Sequence, residues 1–144
     1  MTFKLLLKDK IDSLCAFQQA NFPDGWNKNQ LESAFKSDNF FVLTCLLEEE
    51  IIGFISYSIT SGSADILDIA VKKDMREQKI GSALLEKCLQ NLISKGVKES
   101  FLEVRLSNVP AIGLYTKFGF NKISVRKKYY DDGEDAIVYK KELL

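Results

Sequence analysis

"MREQKIGSALLEKCLQNLISKGV", residues 75–97, follows an apolar run, "ILDIAV", residues 66–71, across a short charged link. Together they read as a strand that passes through a glycine-bearing turn into a long amphipathic helix. Ile80, Leu84, Leu85, Cys88, Leu89 and Leu92 cover about half of the helix circumference, which predicts one buried face. Lys95-Gly96 supplies the stop, since glycine enters the left-handed conformation that closes a helix without a Cβ penalty. A strand delivered to a helix start presents unpaired N–H groups and the positive end of the helix dipole, a setting that suits phosphate. The turn nevertheless fits neither common phosphate fingerprint. A P-loop needs G-x-x-x-x-G-K-[ST], whereas the order here is Lys79-Ile80-Gly81-Ser82 and the nearest upstream glycine is Gly62. The G-x-G-x-x-G of a dinucleotide fold is also missing. ATP and NAD are poor expectations, and on the turn alone close packing at Gly81 is the better reading.

Working outward, "FKLLL" (3–7) reads as a first strand, and "KIDSLCAFQQANF" (10–22) as a helix with Ile11, Leu14, Cys15 and Phe17 inward. After the turn "PDG", Asn27 followed by Gln30 resembles a capping box that starts a second helix. Three apolar segments follow, "FFVLTCLL" (40–47), "IIGFISYSIT" (51–60) and "ADILDIAV" (64–71), joined by "EEE" and "SGS". Short polar turns between such runs predict an antiparallel meander. Beyond the quoted helix, "SFLEVRL" (100–106) is a further strand. Asn108 to Phe118 reads as a short helix, with Pro110 in its first turn and Gly119 past its end. "FNKISVRKKYY" and "EDAIVYKKEL" close the chain as paired strands around "DDGE". The expected order is β-α-α-β-β-β-α-β-α-β-β, without repeat or linker.

Composition narrows the chemistry. The 144 residues are expected to form a single domain (1–144) with a substantial core. Lys plus Arg and Asp plus Glu are both 20, so the formal charge is zero. That argues against direct nucleic-acid binding, which draws on uncompensated cations; Arg126-Lys127-Lys128 reads as a solvated strand edge. The N-terminus does not resemble a signal peptide, and no stretch reaches the length of a membrane span. Three cysteines, Cys15, Cys45 and Cys88, lie far apart without CxxC spacing. They are expected to be reduced, mostly buried thiols in a cytoplasmic protein. There is no histidine. This removes Ser-His-Asp and Cys-His nucleophiles and histidine-ligated zinc, leaving a carboxylate, lysine, thiolate or water as proton acceptor.

"ILDIAVKKDMREQKIGSALLEKCL", "FLEVRLSNVPAIGLYTKFGF" and "RKKYYDDGEDAIVYKKEL" together resemble the GNAT superfamily of acyl-CoA-dependent N-acetyltransferases. Within it they look like the RimI type, the bacterial ribosomal-protein-alanine N-acetyltransferases. The resemblance is densest from Ile66 to Leu143. It implies an α/β (α+β) fold, with a mixed central sheet of about seven strands and helices on both faces. The family's pyrophosphate motif, [QR]-x-x-G-x-[GA], falls on Arg76-Glu77-Gln78-Lys79-Ile80-Gly81. Arg76 and Gly81 match, Lys79 stands where the first glycine is usual, and Ser82 continues the turn. The resemblance implies that this turn holds the pyrophosphate of acetyl-CoA, with no metal. It also implies that Ile69-Ala70-Val71 lines the pantetheine and that one of its amides polarises the thioester.

By the same resemblance Glu103 is the proton acceptor, Tyr115 the proton donor, and Asn108 a ligand for coenzyme amide or carbonyl groups. Tyr129, Tyr130, Glu134 and Asp135 fit a signature near the peptide groove, and Trp26 of "FPDGW" lies in a substrate-side loop. Read without the family, each has a plainer role. Glu103 shares a strand face with Phe101 and Arg105 and would pair with Arg105. Tyr115 would pack beside Ala111 and Phe118, and Asn108 would simply cap its helix. The Tyr129–Tyr130 pair would be hairpin packing.

The expected activity is transfer of an acetyl group from acetyl-CoA to the N-terminal amine of a protein, namely the N-terminal alanine of a small-subunit ribosomal protein. Two alternatives stay open: acetylation of a small-molecule amine or lysine side chain, and a non-catalytic acyl-CoA-binding domain. The expected partner is a protein N-terminus, with no membrane contact and a monomer or weak homodimer as the working state.

Overall fold

The computed structural model describes residues 1–144. Its elements follow the expected order: β1 (Thr2–Leu5), α1 (Ile11–Asn21), α2 (Lys28–Phe35), β2 (Phe40–Leu47), β3 (Glu50–Thr60), β4 (Ser63–Val71), α3 (Ile80–Ser94), β5 (Glu99–Arg105), α4 (Val109–Lys117), β6 (Asn121–Arg126) and β7 (Ala136–Glu142). The strands form one seven-stranded sheet, ordered β1-β2-β3-β4-β5-β7-β6. Only β4 and β5 run parallel, because α3 carries the chain back between them. No helix is long and apolar enough to cross a membrane.

Helices cover both faces. Leu14, Phe17, Leu31 and Phe35 of α1 and α2 pack on Phe40, Val42, Phe54 and Ala70. Ile80, Leu84, Leu85, Cys88 and Leu92 of α3, with Tyr115 of α4, pack on the opposite face against Ile55, Tyr57, Ile66 and Leu102. All six apolar positions expected inside on α3 are buried. On α1, by contrast, Ile11 and Cys15 are only half-buried, and Gln18 takes an inner position. The first strand stops at Leu5, leaving Leu7 exposed.

Local chemistry sets the helix ends. Asn27 and Gln30 close the capping box, each side chain bonding the other's backbone at 2.9 Å. Both α3 and α4 end on a left-handed glycine, Gly96 at φ 76° and Gly119 at φ 89°. In each case the next residue donates back into the last turn, Val97 to Leu92 and Phe120 to Tyr115, both at 3.0 Å.

The feature that positions the site is a split in the sheet. Parallel pairing runs only from Ser63–Glu99 to Ile66–Leu102. At that point β4 carries a bulge: Tyr57 faces Ile66 while Ser56 faces Asp68, leaving Leu67 as the extra residue. Beyond it β4 continues to Val71 beside β3 alone, and β5 continues beside β7 alone. Lys72 N–H donates to Ile52 C=O at 2.8 Å, which makes that facing pair a hydrogen-bonded one. Antiparallel pairs alternate, so the N–H groups of Ile69 and Val71 turn away from β3 and into the split.

Candidate active site

The turn between β4 and α3 runs from Val71 into the split. A 3-10 turn at Lys73–Met75 leads to Arg76, whose Nε donates to Val71 C=O at 3.2 Å and whose guanidinium lies over the Phe22 ring. Glu77 (φ 68°) and Lys79 (φ 61°, ψ 22°) both adopt left-handed conformations, and Lys79 is the residue preceding α3. Lysine therefore occupies backbone geometry that glycine tolerates far better. Ile80, Gly81 and Ser82 then begin the helix, their amides without i−4 partners. A Cβ built on Gly81 would meet Leu114 only at 3.8 Å and Val71 at 4.0 Å. Helix packing does not require a glycine here, which weakens the packing explanation for Gly81.

Glu103 lies on the α1/α2 face of β5, since its neighbours Leu102 and Val104 point into the opposite core. Its ion-pair partner is Arg126 on β6, at 3.1 Å, rather than the expected Arg105. Arg105 is drawn to the loop before β7, where its guanidinium meets Asp132 at 2.9 Å and Glu134 at 3.0 Å and stacks 3.9 Å over Tyr130. Two carboxylates of that one loop converge on the Arg105 guanidinium, which a single neighbour on the same strand cannot match. Tyr129 stands against Glu103, whose hydrogen bonding and negative charge hold its phenol above the ordinary range, and meets Tyr130 edge-on at 5.1 Å.

Glu134 is used internally. One oxygen holds Arg105 and the other accepts the Ser107 amide at 2.8 Å. These bonds hold its carboxyl below the usual range, Ser107 contributing most. Asp135 likewise accepts the Lys128 amide at 2.9 Å. Both residues shape the loop that carries the two tyrosines.

Tyr115 is buried, 5% exposed, on the other side of the split. Its ring meets Phe120 at 5.9 Å, the apolar contact that accompanies the glycine end of α4. Burial pushes its phenol well above the ordinary tyrosine value, with the Asp68 charge adding to the effect. Asn108 caps α4, accepting the Ala111 amide at 3.3 Å, so its carboxamide oxygen serves the helix and its NH₂ remains outward.

Trp26 stacks on Phe40 with ring centroids 5.8 Å apart and roofs a cavity of about 70 Å³ between α1, α2 and the sheet. Asp68 lines this cavity and also an outer groove walled by Phe22, Pro23, Ile69 and Ala70. Water reaches its carboxylate, yet the surrounding protein raises its pKa by desolvation. Sequence reasoning passed over Asp68 and Gln18. The signal for the first was an aspartate interrupting the apolar run "ILDIAV"; Gln18 offered none, because a helix glutamine is unremarkable until its surroundings are known.

The sequence profile of the Acetyltransferase (GNAT) family matches residues 8–120. The chain is 41% identical over 88 residues to the [ribosomal protein bS18]-alanine N-acetyltransferase of Escherichia coli K12, covering 59% of this chain and 60% of that one. It is 29% identical over 148 aligned positions to an N-alpha-acetyltransferase of Saccharolobus solfataricus, covering 94% and 89%. In three dimensions it superposes on the crystal structure of the Escherichia coli ribosomal-protein-S18-alanine N-acetyltransferase with a TM-score of 0.90, at 29% identity and over 99% and 93% of the two chains. Ard1 from Thermoplasma volcanium gives 0.86 at 27% identity, over 99% and 97%. Sharing the fold of these enzymes and matching the family profile over most of its length, the chain is an acyltransferase belonging to the acetyltransferase (GNAT) family.

Proposed function

We propose that this enzyme transfers an acetyl group from acetyl-CoA to the α-amine of a protein N-terminus, with the N-terminal alanine of ribosomal protein bS18 as its substrate, in the cytoplasm. The observation that carries the reading is the split itself. It opens the β4 amides of Ile69 and Val71 along a line that ends at the free amides of Ile80, Gly81 and Ser82. A pantetheine can add to the β4 edge as a strand would, with its pyrophosphate at the helix start. Arg76 and Lys79 supply positive charge beside that anion. Acetyl-CoA supplies the activated acyl group and a thiol leaving group.

Each side of the split then has a proton task. Glu103 faces the α1/α2 side, where the loop holding Trp26 and the Tyr129–Tyr130 pair border a groove for an extended peptide end. It accepts the amine proton through water as nitrogen attacks the thioester carbon. A β4 amide donates to the oxygen that becomes negative. Tyr115, kept protonated by burial, gives its proton to the departing thiolate and regains one through solvent, so protons balance over the turnover. The preference for an α-amine has a physical warrant beyond the relatives' activities. Deprotonating a lysine at neutral pH costs about 3 kcal/mol more, from a pKa gap of roughly two and a half units.

The test is a peptide beginning with alanine and carrying an internal lysine, treated with acetyl-CoA and analysed by mass spectrometry. Acetylation is expected at the α-amine. Product confined to the lysine, with the α-amine untouched, would overturn the reading in favour of a side-chain or small-amine acetyltransferase.

A further inference from the structure

Of the carboxylates at and around Glu103, three are neutralised from within, while Asp65 and Asp68 on β4 have no ion-pair partner. Glu103 has Arg126, while Asp132 and Glu134 share Arg105. Asp68 has no cation of the chain beside it. It forms the common wall of the cavity beneath Trp26 and of the outer groove, and its field reaches Tyr115 across the split. A carboxylate without a counter-charge at the rim of a partly apolar groove suits a cationic ligand.

A second, independent observation lies in the same cavity. Gln18 is 4% exposed, and its Oε1 is buried without a hydrogen-bond partner. The oxygen lies under the loop joining α1 to α2, so close that a Cβ on Gly25 would stand 2.7 Å from it. Gln18 and Asp68 line one cavity whose remaining wall is mostly apolar, formed by Leu14, Leu31, Phe40 and Phe54 among others. Two acceptors, one charged and one neutral, thus line one small space at the inner end of the groove; the chain gives Gln18 Oε1 no donor and Asp68 only the Ile69 backbone amide. An unmet buried acceptor is worth satisfying on binding, and an ammonium brings three donors together with a positive charge.

We propose that Asp68 collects the substrate's α-ammonium at the mouth of this cavity, with the Gln18 carboxamide oxygen as a second acceptor. The assignment rests on the N-terminal acetylation reading and adds a binding step to it. The peptide end arrives in its abundant charged form, is held by Asp68 beside the split, and loses its proton toward Glu103 once placed. Asp68 here is an anchor for the substrate; the covalent chemistry is unchanged.

Binding can be measured without turnover, in the dead-end complex with CoA. Calorimetry would compare an alanine-initiated peptide with the same peptide whose first residue is propanoyl, which lacks only the amine. The wild-type enzyme is expected to favour the ammonium by about tenfold or more. Asp68→Asn, which keeps size and shape, should shrink that preference below about threefold while leaving CoA affinity unchanged. In steady state it should raise the peptide KM with kcat and the acetyl-CoA KM nearly constant. Equal binding of both peptides by the wild-type enzyme, or undiminished discrimination in Asp68→Asn, would overturn the proposal, as would a lower kcat with unchanged peptide KM. The wild-type peptide pair decides the matter even if the variant fails to fold. Failure of the underlying reading is seen separately, as wild-type acetylation confined to lysine, and the proposal falls with it. An active α-amine transferase whose Asp68→Asn form still discriminates sinks this assignment alone.

Discussion

The Glu103 carboxylate meets the Arg126 guanidinium at 3.1 Å, reaching diagonally past strand β7, which lies between their own strands. The Arg126 side chain is more than half exposed, so the pair contributes at most about 1 kcal/mol. Glu103→Gln should therefore fold with nearly unchanged stability and still lose activity. The loss is expected to be about 100-fold near pH 7, narrowing above about pH 8 as the α-amine sheds its proton unaided. Rates across pH, beside a thermal melt, check this; a deficit of constant size at every pH would remove Glu103 from proton transfer.

Tyr115→Phe keeps the ring that meets Phe120 and closes the end of α4, removing only the hydroxyl. Coenzyme affinity should hold while turnover falls about 100- to 10,000-fold. A folded variant with wild-type turnover would assign Tyr115 to packing alone.

Alkaline stability tests three buried groups together. Burial raises Tyr57 from 10.0 to about 12 and Cys88 from 9.0 to about 12, and Tyr115 further still. In the unfolded chain these groups release protons from about pH 9 to 10, while the folded protein retains them. The native state then binds more protons, so stability is full below that range and falls as pH rises toward 12. Denaturant midpoints from pH 8 upward should decline, and Tyr115→Phe should flatten the decline. A midpoint that stays level through about pH 11 would contradict the burial of these groups.

Lys79 holds a left-handed conformation at φ 61°, which costs an L-residue roughly 1–2 kcal/mol. Lys79→Gly relieves that strain, and the added freedom of the unfolded chain offsets about 0.4–1 kcal/mol of the gain. The variant should be as stable as the parent or slightly more so. Coenzyme affinity should change less than about tenfold, because the backbone donors remain. CoA titration showing a larger change either way would make the lysine an essential ligand or an obstruction.

Gly81→Ala separates packing from ligand approach. The added methyl meets nothing closer than 3.8 Å, and alanine favours a helix by about 1 kcal/mol over glycine. The melting temperature should hold or rise while the acetyl-CoA KM changes less than about tenfold, since the family motif accepts alanine at this position and the backbone donors remain. A rise of more than about tenfold would show that the coenzyme approaches too closely here for any side chain.

Patterns carried by neighbouring residues were legible in the sequence. The inward stripe of α3, the Asn27–Gln30 capping box, the antiparallel meander and the glycine stops at Gly96 and Gly119 all depend on spacings of a few residues. The matching of Arg76, Gly81, Glu103, Asn108 and Tyr115 to a family pattern was legible for the same reason. What only the tertiary structure decided depends on strands far apart in the chain. Insertion of β7 between β5 and β6 hands Glu103 to Arg126 and leaves Arg105 to Asp132 and Glu134. The bulge at Leu67 ends the pairing of β4 with β5 and opens the Ile69 and Val71 amides. Packing of α1 against the sheet sets Gln18 and Asp68 around one cavity. Helix periodicity and capping are local, so the sequence by itself determined them; charge partners, a split sheet and a shared cavity arise from long-range register, which no short pattern of residues encodes.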